Sequence, residues 1–249
     1  MYLSETIARK MICDIGKKMY SKNFVSANDG NITIRIADNV LLVTPTGISK
    51  GDLTESMLIK VDLDGRIIEG DYKPTSELSM HLQVYKENDA IQSTCHAHCP
   101  HLTALAVAGI ELDVPTSAAA SGLVGRIPVA PYQCPGSKEL ANSIIPYVKD
   151  YNIVNLGNHG PLSWGTDPMG AWYIMESAES ACELAFNIKK YLDGKVRPLT
   201  IKQTEELFAF HHVKRSSAAW LTCPNTTDNQ EPAVSFSSYF DIKLGIDNA

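Results

Sequence analysis

The chain has 249 residues, a formal net charge of −6 and 44% hydrophobic side chains, enough apolar matter for one large core at an ordinary charge density. The mild acidity, with no Lys/Arg block, argues against a nucleic-acid footprint, and no apolar run reaches the length of a membrane span. Leu3, Ile7, Met11, Ile15 and Met19 recur at helical spacing with lysines between them, which predicts an amphipathic surface helix rather than a signal peptide and, with it, a cytoplasmic protein. The cysteines at 13, 95, 99, 134, 182 and 223 are expected to be reduced and mostly buried.

After this helix, "SANDGNITIRI" turns at Asp29-Gly30 and enters a strand over 32–36, and Asp38-Asn39 turns it into a second strand over 40–44, which is hairpin logic. "MLIKVDLDGRIIEG" adds a further strand and turn. "TSELSMHLQVYKEN" predicts a helix over 75–88 with Leu78, Leu82 and Tyr85 on one side and Thr75 or Ser76 as its N-cap. "AIQSTCHAH" reads as a strand, "HLTALAVAG" as a short helix closed by Gly109, and "GLVGRIPVAPY" as a return to strand. A helix over 137–150 is broken by Pro146. Two short strands flank the Gly-Asn-His-Gly turn at 157–160. A long helix follows over 167–194, capped by Asp167 with Pro168 in its first turn, and another over 200–217. From Ala218 the periodicity is weak, and an extended tail that packs on a neighbouring subunit or is partly mobile is expected. Short strands with hairpin-like connections predict an α/β fold, a three-layer single domain over 1–217 with a mostly antiparallel central sheet flanked by helices, followed by the tail, 218–249.

The chemistry starts from "CHAHC" at 95–99. In a strand, alternate residues share a face, so His96 and His98 point together while Cys95, Ala97 and Cys99 point away. That separates histidines from cysteines and leaves either a two-imidazole metal platform or two polar residues on a solvated face. His159 between glycines is either a surface residue or an imidazole aimed inward by a tight turn. Glu77 at the start of its helix is a favourable N-terminal charge, or a metal ligand or general base. His81, one turn on, competes as a ligand. Three turn segments, Gly30-Asn31, Thr46-Gly47 and Thr75-Ser76, offer backbone N–H groups, hydroxyls and an amide to an anion.

In this order "DGNITIR", "TPTGISKGDL", "PTSELSMH", "HAHCPHLTALA" and "GNHGPLSWG" resemble the class II aldolase/adducin family over about residues 5–195. The resemblance implies one zinc ion per subunit, with Mn²⁺ or Co²⁺ compatible with the same donors, held by His96, His98 and His159. It makes Glu77 a ligand at rest and the acid–base group during turnover. It assigns the substrate phosphate to Gly30, Asn31, Thr46, Gly47, Thr75 and Ser76, and a homotetramer as the working form. The implied activity is that of an aldolase, cleaving a phosphorylated ketose like L-fuculose 1-phosphate to dihydroxyacetone phosphate and a short aldehyde through a metal-stabilised enediolate. A same-family sugar-phosphate epimerase, dehydratase or decarboxylase is the alternative. A non-catalytic adducin-like assembly module is a further one, which the retained histidines oppose. One departure stands out: where the fuculose-phosphate branch has a proton-donating tyrosine, this chain has Ser117. Tyr239 in the tail is the other candidate for that role.

Overall fold

A computed structural model describes residues 2–113, 117–210 and the short strand at 234–235. The chain opens with α1 (Glu5–Ser21), which buries Ala8, Ile12, Ile15 and Met19. Ile7, expected on that face, is 52% exposed. A repeat of four residues advances about 40° beyond a full turn at each step, so the apolar stripe drifts off the core side toward the helix start.

The centre is an eight-stranded sheet in the order β4-β3-β2-β1-β5-β8-β7-β6. Its strands are β1 (Asn31–Ala37), β2 (Val40–Val43), β3 (Ile59–Val61), β4 (Ile67–Glu69), β5 (Ser93–His96), β6 (Val129–Ala130), β7 (Ile153–Leu156) and β8 (Gly160–Gly165). Every neighbouring pair is antiparallel except β6–β7, as the hairpin-like connections predict. Period-two alternation divides the core into two layers. On one face Ile32, Ile34, Leu42 and Cys95 pack with residues of α1, α3 (Pro100–Ala108) and α7 (Gly170–Tyr191). On the other, Leu41, Val43, Val61 and Val154 pack with α2 (Leu78–Glu87), α5 (Lys138–Ser143) and α6 (Ile145–Val148).

Several boundaries differ from the sequence expectation. The strand expected to run through His98 ends at His96, and the backbone N–H of His98 donates instead to the Phe24 carbonyl at 2.9 Å. Gly122 and Leu123, expected in a strand, close a short helix, α4 (Ala118–Leu123). Its alanines favour helix, and Ser117 caps it by accepting from the Ala120 N–H. The helix over 137–150 divides at Ile144, placing Pro146 in the first turn of α6, where a missing N–H costs nothing. Asp167 precedes α7 rather than capping it directly, accepting from the Met169 N–H at 2.9 Å. Leu78, and not Thr75 or Ser76, sets the start of α2, with Glu77 at the N-cap.

The last helix among the described residues, α8 (Ile201–Phe210), follows β9 (Lys195–Val196), which pairs with β10 (Val234–Ser235). Residues 211–217 of the expected helix lie outside the described residues, as does the tail apart from β10, including Cys223 and Tyr239. Of the cysteines described, all are free thiols, and all but Cys134 are buried. Among the described residues no helix is long and apolar enough to cross a membrane.

Candidate metal centre and anion cradle

The antiparallel order of β1, β5 and β8 collects the chemistry at one end of the sheet. His96 is the last residue of β5, His98 follows two residues on, and His159 sits in the turn joining β7 to β8. That turn is tight because Asn158 takes a left-handed backbone, φ 54°, and because the main chain at Gly160 packs directly on the loop after β5. A Cβ at Gly160 would meet the Ala97 carbonyl oxygen at 2.4 Å, so only glycine lets the two histidine-bearing loops touch.

The result is a cluster in which one donor atom from each of His96, His98 and His159 lies within 4.8 Å of the others. The N-cap position of α2 brings Glu77 to the same point, with Oε2 3.5 Å from His96 Nε2 and Oε1 3.3 Å from His159 Nε2. Two of the rings are held by their far nitrogens. His96 Nδ1–H donates to the Pro161 carbonyl at 2.9 Å, and His98 Nδ1 lies 3.2 Å from Asp29 Oδ2. Each partner fixes the ring and leaves the Nε2 lone pair facing the cluster.

Burial pushes His96 down to about 3 and His81 down to about 4, and lowers His159 as well. Burial works against the Glu77 carboxylate, but His96 and the Asn31 amide donor outweigh it and hold the carboxyl at about 2. At pH 7 the Glu77 carboxylate is therefore a buried negative charge beside the neutral rings of His96 and His159. His96 Nε2, His98 Nε2 and Glu77 Oε1 are buried with no hydrogen-bond partner among the described residues. Orphaned lone pairs converging on one point, beside an uncompensated negative charge, are the arrangement a divalent cation satisfies. The residues present fit such an ion. His81 does not join them, because its ring nitrogens are engaged by Thr94 and Asn31.

A cavity of about 280 Å³ opens beside the cluster, and its lining contains Gly30, Asn31, Thr46, Gly47, Thr75, Ser76 and Glu77 with His98 and His159. The three turn segments singled out in the sequence thus meet around one space. Ser117 and Leu123, the two ends of α4 and its cap, are not among these lining residues.

Some contributors carry no sequence signal of their own. Asp29 reads only as a turn residue, and the Pro161 carbonyl reads as nothing at all, since its role depends on strand register. Lys50 is a third case. It is 1% exposed and its Nζ donates to the carbonyls of Asn28, at 3.0 Å, and Ile48, joining two of the loops beside the cavity. Burial pushes its ammonium down to about 8.

Fold and cluster together define a three-layer α/β protein with a histidine–carboxylate cluster fit for a divalent cation beside a cavity lined by three turns. The chain belongs to the class II aldolase and adducin N-terminal domain family, whose profile matches residues 10–186. It is 33% identical over 208 residues to a 3-oxo-tetronate 4-phosphate decarboxylase of Pectobacterium atrosepticum, covering 82% of this chain and 94% of that one. It is 36% identical over 172 residues to an L-fuculose phosphate aldolase of Methanococcus maripaludis, covering 69% and 92%. Among solved structures, YgbL of Klebsiella pneumoniae, named as a candidate aldolase/epimerase/decarboxylase, superposes with a TM-score of 0.76 at 31% identity, over 82% of this chain and 99% of that one.

Proposed function

We propose that the protein is a zinc-dependent carbon–carbon lyase acting on a small phosphorylated 3-oxo acid, which it decarboxylates to dihydroxyacetone phosphate. The chemistry implied by the two relatives' names converges. Removing CO₂ from a 3-oxo-tetronate 4-phosphate, or an aldehyde from fuculose 1-phosphate, leaves the same enediolate of dihydroxyacetone phosphate. Only the departing fragment differs.

The observation that favours decarboxylation is the state of Ser117. An aldehyde leaves only if a group takes the proton of the adjacent hydroxyl. CO₂ leaves with no such proton transfer at the departing fragment. The residue at the family's tyrosine position is a serine whose Oγ caps α4 through the Ala120 N–H. The decarboxylase relative also covers more of this chain than the aldolase does, 82% against 69%.

His96, His98 and His159, with Glu77 as resting ligand, would hold a divalent cation, which would supply positive charge to stabilise the enediolate. The cradle of Gly30, Asn31, Thr46, Gly47, Thr75 and Ser76 grips the phosphate and so fixes the reacting carbons relative to Glu77. The Glu77 carboxylate takes the C2 hydroxyl proton as the carbon–carbon bond opens, then returns it to C2. One further proton from water restores the hydroxyl. His96 is kept pointing by the Pro161 carbonyl, and His98 by Asp29, throughout.

Zinc-loaded protein supplied with 3-oxo-tetronate 4-phosphate is expected to release CO₂ and dihydroxyacetone phosphate in equal amounts. Dihydroxyacetone phosphate formed from L-fuculose 1-phosphate, with no CO₂ from the oxo acid, would instead establish the aldolase reading, which the Glu77 carboxylate in its Thr-Ser-Glu setting favours. In either case Glu77→Gln is expected to retain zinc and lose turnover by about 10²–10⁴-fold; undiminished turnover would remove Glu77 from the mechanism. The histidine set supports an enzyme over an assembly module. The working form in this proposal is a homotetramer, checked by light scattering.

A further inference from the structure

Behind Glu77, and joined to it through the cavity-lining Asn31, runs a file of buried polar side chains. Glu77, His81 and Tyr85 stand at i, i+4 and i+8 and so share one face of α2. That face meets β1 and β5, where Asn31 lies opposite His96 and Thr33 opposite Thr94. Asn31 Nδ2 donates to Glu77 Oε2 at 2.9 Å, and Asn31 Oδ1 contacts His81 Nε2. His81 Nδ1 is 2.6 Å from Thr94 Oγ1, Thr94 Oγ1 is 2.6 Å from Thr33 Oγ1, and Thr33 Oγ1 is 2.7 Å from the Tyr85 hydroxyl. Thr33, His81, Thr94 and Tyr85 are all 0% exposed.

Chemistry fixes the direction of each bond. An ionised carboxylate only accepts, so Asn31 turns its NH₂ to Glu77 and its carbonyl to His81. A carbonyl also only accepts, so His81 carries its proton on Nε2. The bare Nδ1 of the neutral ring then accepts from the Thr94 hydroxyl, Thr94 from Thr33, and Thr33 from Tyr85. Every donor in the file points toward Glu77. The reverse order would set the Asn31 carbonyl against the carboxylate, an unmade bond with no water to repair it.

We propose that His81 is a positioning residue, whose Nε2–H tautomer, supported at Nδ1 by the Thr94 hydroxyl, holds the Asn31 amide with its N–H on Glu77 and so fixes the carboxylate for proton transfer at the substrate carbon. This rests on the reading of Glu77 as the proton carrier, and the test separates the two.

Zinc-loaded protein labelled with ¹⁵N-histidine is examined by long-range ¹H–¹⁵N correlation. His81 is expected as the Nε2–H tautomer in the wild type and as a tautomer mixture in Thr94→Val. The same samples are assayed for deuterium wash-in from D₂O into dihydroxyacetone phosphate, which reports enediolate proton transfer without any leaving fragment. His81→Leu is expected to slow wash-in about 100-fold at unchanged zinc content. His81→Gln, which can accept from Thr94 and donate to Asn31, is expected to recover most of the rate. A wild-type Nδ1–H ring, a zinc-loaded His81→Leu variant with undiminished wash-in, or a His81→Gln variant no better than His81→Leu overturns the proposal. If the wild type washes in no deuterium, the functional reading fails, while the tautomer and its response to Thr94→Val still decide the file.

Discussion

Gly30 and Gly47 share nearly the same left-handed backbone, φ 76° and 77°, yet substitution at each has a different consequence. A Cβ at Gly30 would sit 2.5 Å from Val25 Cγ1 and 3.0 Å from the His96 carbonyl oxygen, whereas a Cβ at Gly47 meets nothing within 4 Å. Gly30→Ala is therefore expected to cost about 1–3 kcal/mol and to weaken zinc binding by shifting His96. Gly47→Ala is expected to cost about 1 kcal/mol and to act mainly by raising KM for the phosphorylated substrate, because its methyl borders the cavity. Urea denaturation and steady-state kinetics on both variants check the contrast. At this scale the histidine cluster was legible as what the family resemblance implies. Residue patterns alone left His96 and His98 as a metal platform or a solvated pair and His159 as a surface residue or an inward imidazole, and strand alternation does not account for His98, because β5 ends at His96. Asp29 was not legible, because its value comes from a contact with His98 that no local pattern encodes.

Among the elements, α3 has no side-chain cap of its own. Its N-cap residue is Cys99, which makes no capping bond. Glu179 of α7 supplies the cap from across the layer, Oε1 accepting from the His101 N–H at 2.9 Å and Oε2 from the Leu102 N–H at 3.0 Å, with His101 Nδ1 a further 2.8 Å contact. Glu179 is buried, so Glu179→Ala strands these donors and is expected to cost about 1–3 kcal/mol. Because α3 begins two residues beyond His98, the same variant is expected to bind zinc more weakly, measured by competition with a chelating dye. The long periodic elements, α1, α2 and α7, were readable because amphipathic spacing declares itself over several turns. The end of β5 was not. Its last pairing with β1 is His96 with Asn31, and where a strand loses its neighbour is set by that neighbour's turn at Gly30. The helix α4 was missed because the Val-Gly-Arg-Ile-Pro-Val run after it dominates the local pattern.

For the molecule as a whole, the uncompensated charge at the cluster couples metal to folding. Zinc at 100 times its Kd is expected to add about 2.7 kcal/mol to stability, read as a rise in Tm that a chelator reverses. In His159→Ala most of that rise should be absent; an undiminished rise would take His159 out of the site. Lys50 gives a separate, pH-dependent contribution. Its folded pKa of about 8 lies below the reference value of 10.5, so between those two values the unfolded chain holds a proton that the folded chain has released. Stability from this group therefore rises with pH across that window and is flat below it. The wild type's advantage over Lys50→Met in denaturation should be larger at about pH 10 than at pH 8. The three-layer architecture was legible because short strands and flanking amphipathic helices have few ways to bury their apolar faces. The sheet order, and the burial of Lys50 in the segment between β2 and β3, emerge only from tertiary packing.

The two tethered imidazoles differ in what tethers them. His96 leans on a main-chain oxygen of β8, which any residue at that position would present, so no single replacement deletes the tether. His98 leans on a side chain, Asp29, that is itself 39% accessible. Descendants of this sequence can thus retune the aim of one ring by changing one outward carboxylate, while the aim of the other is inherited with the sheet itself.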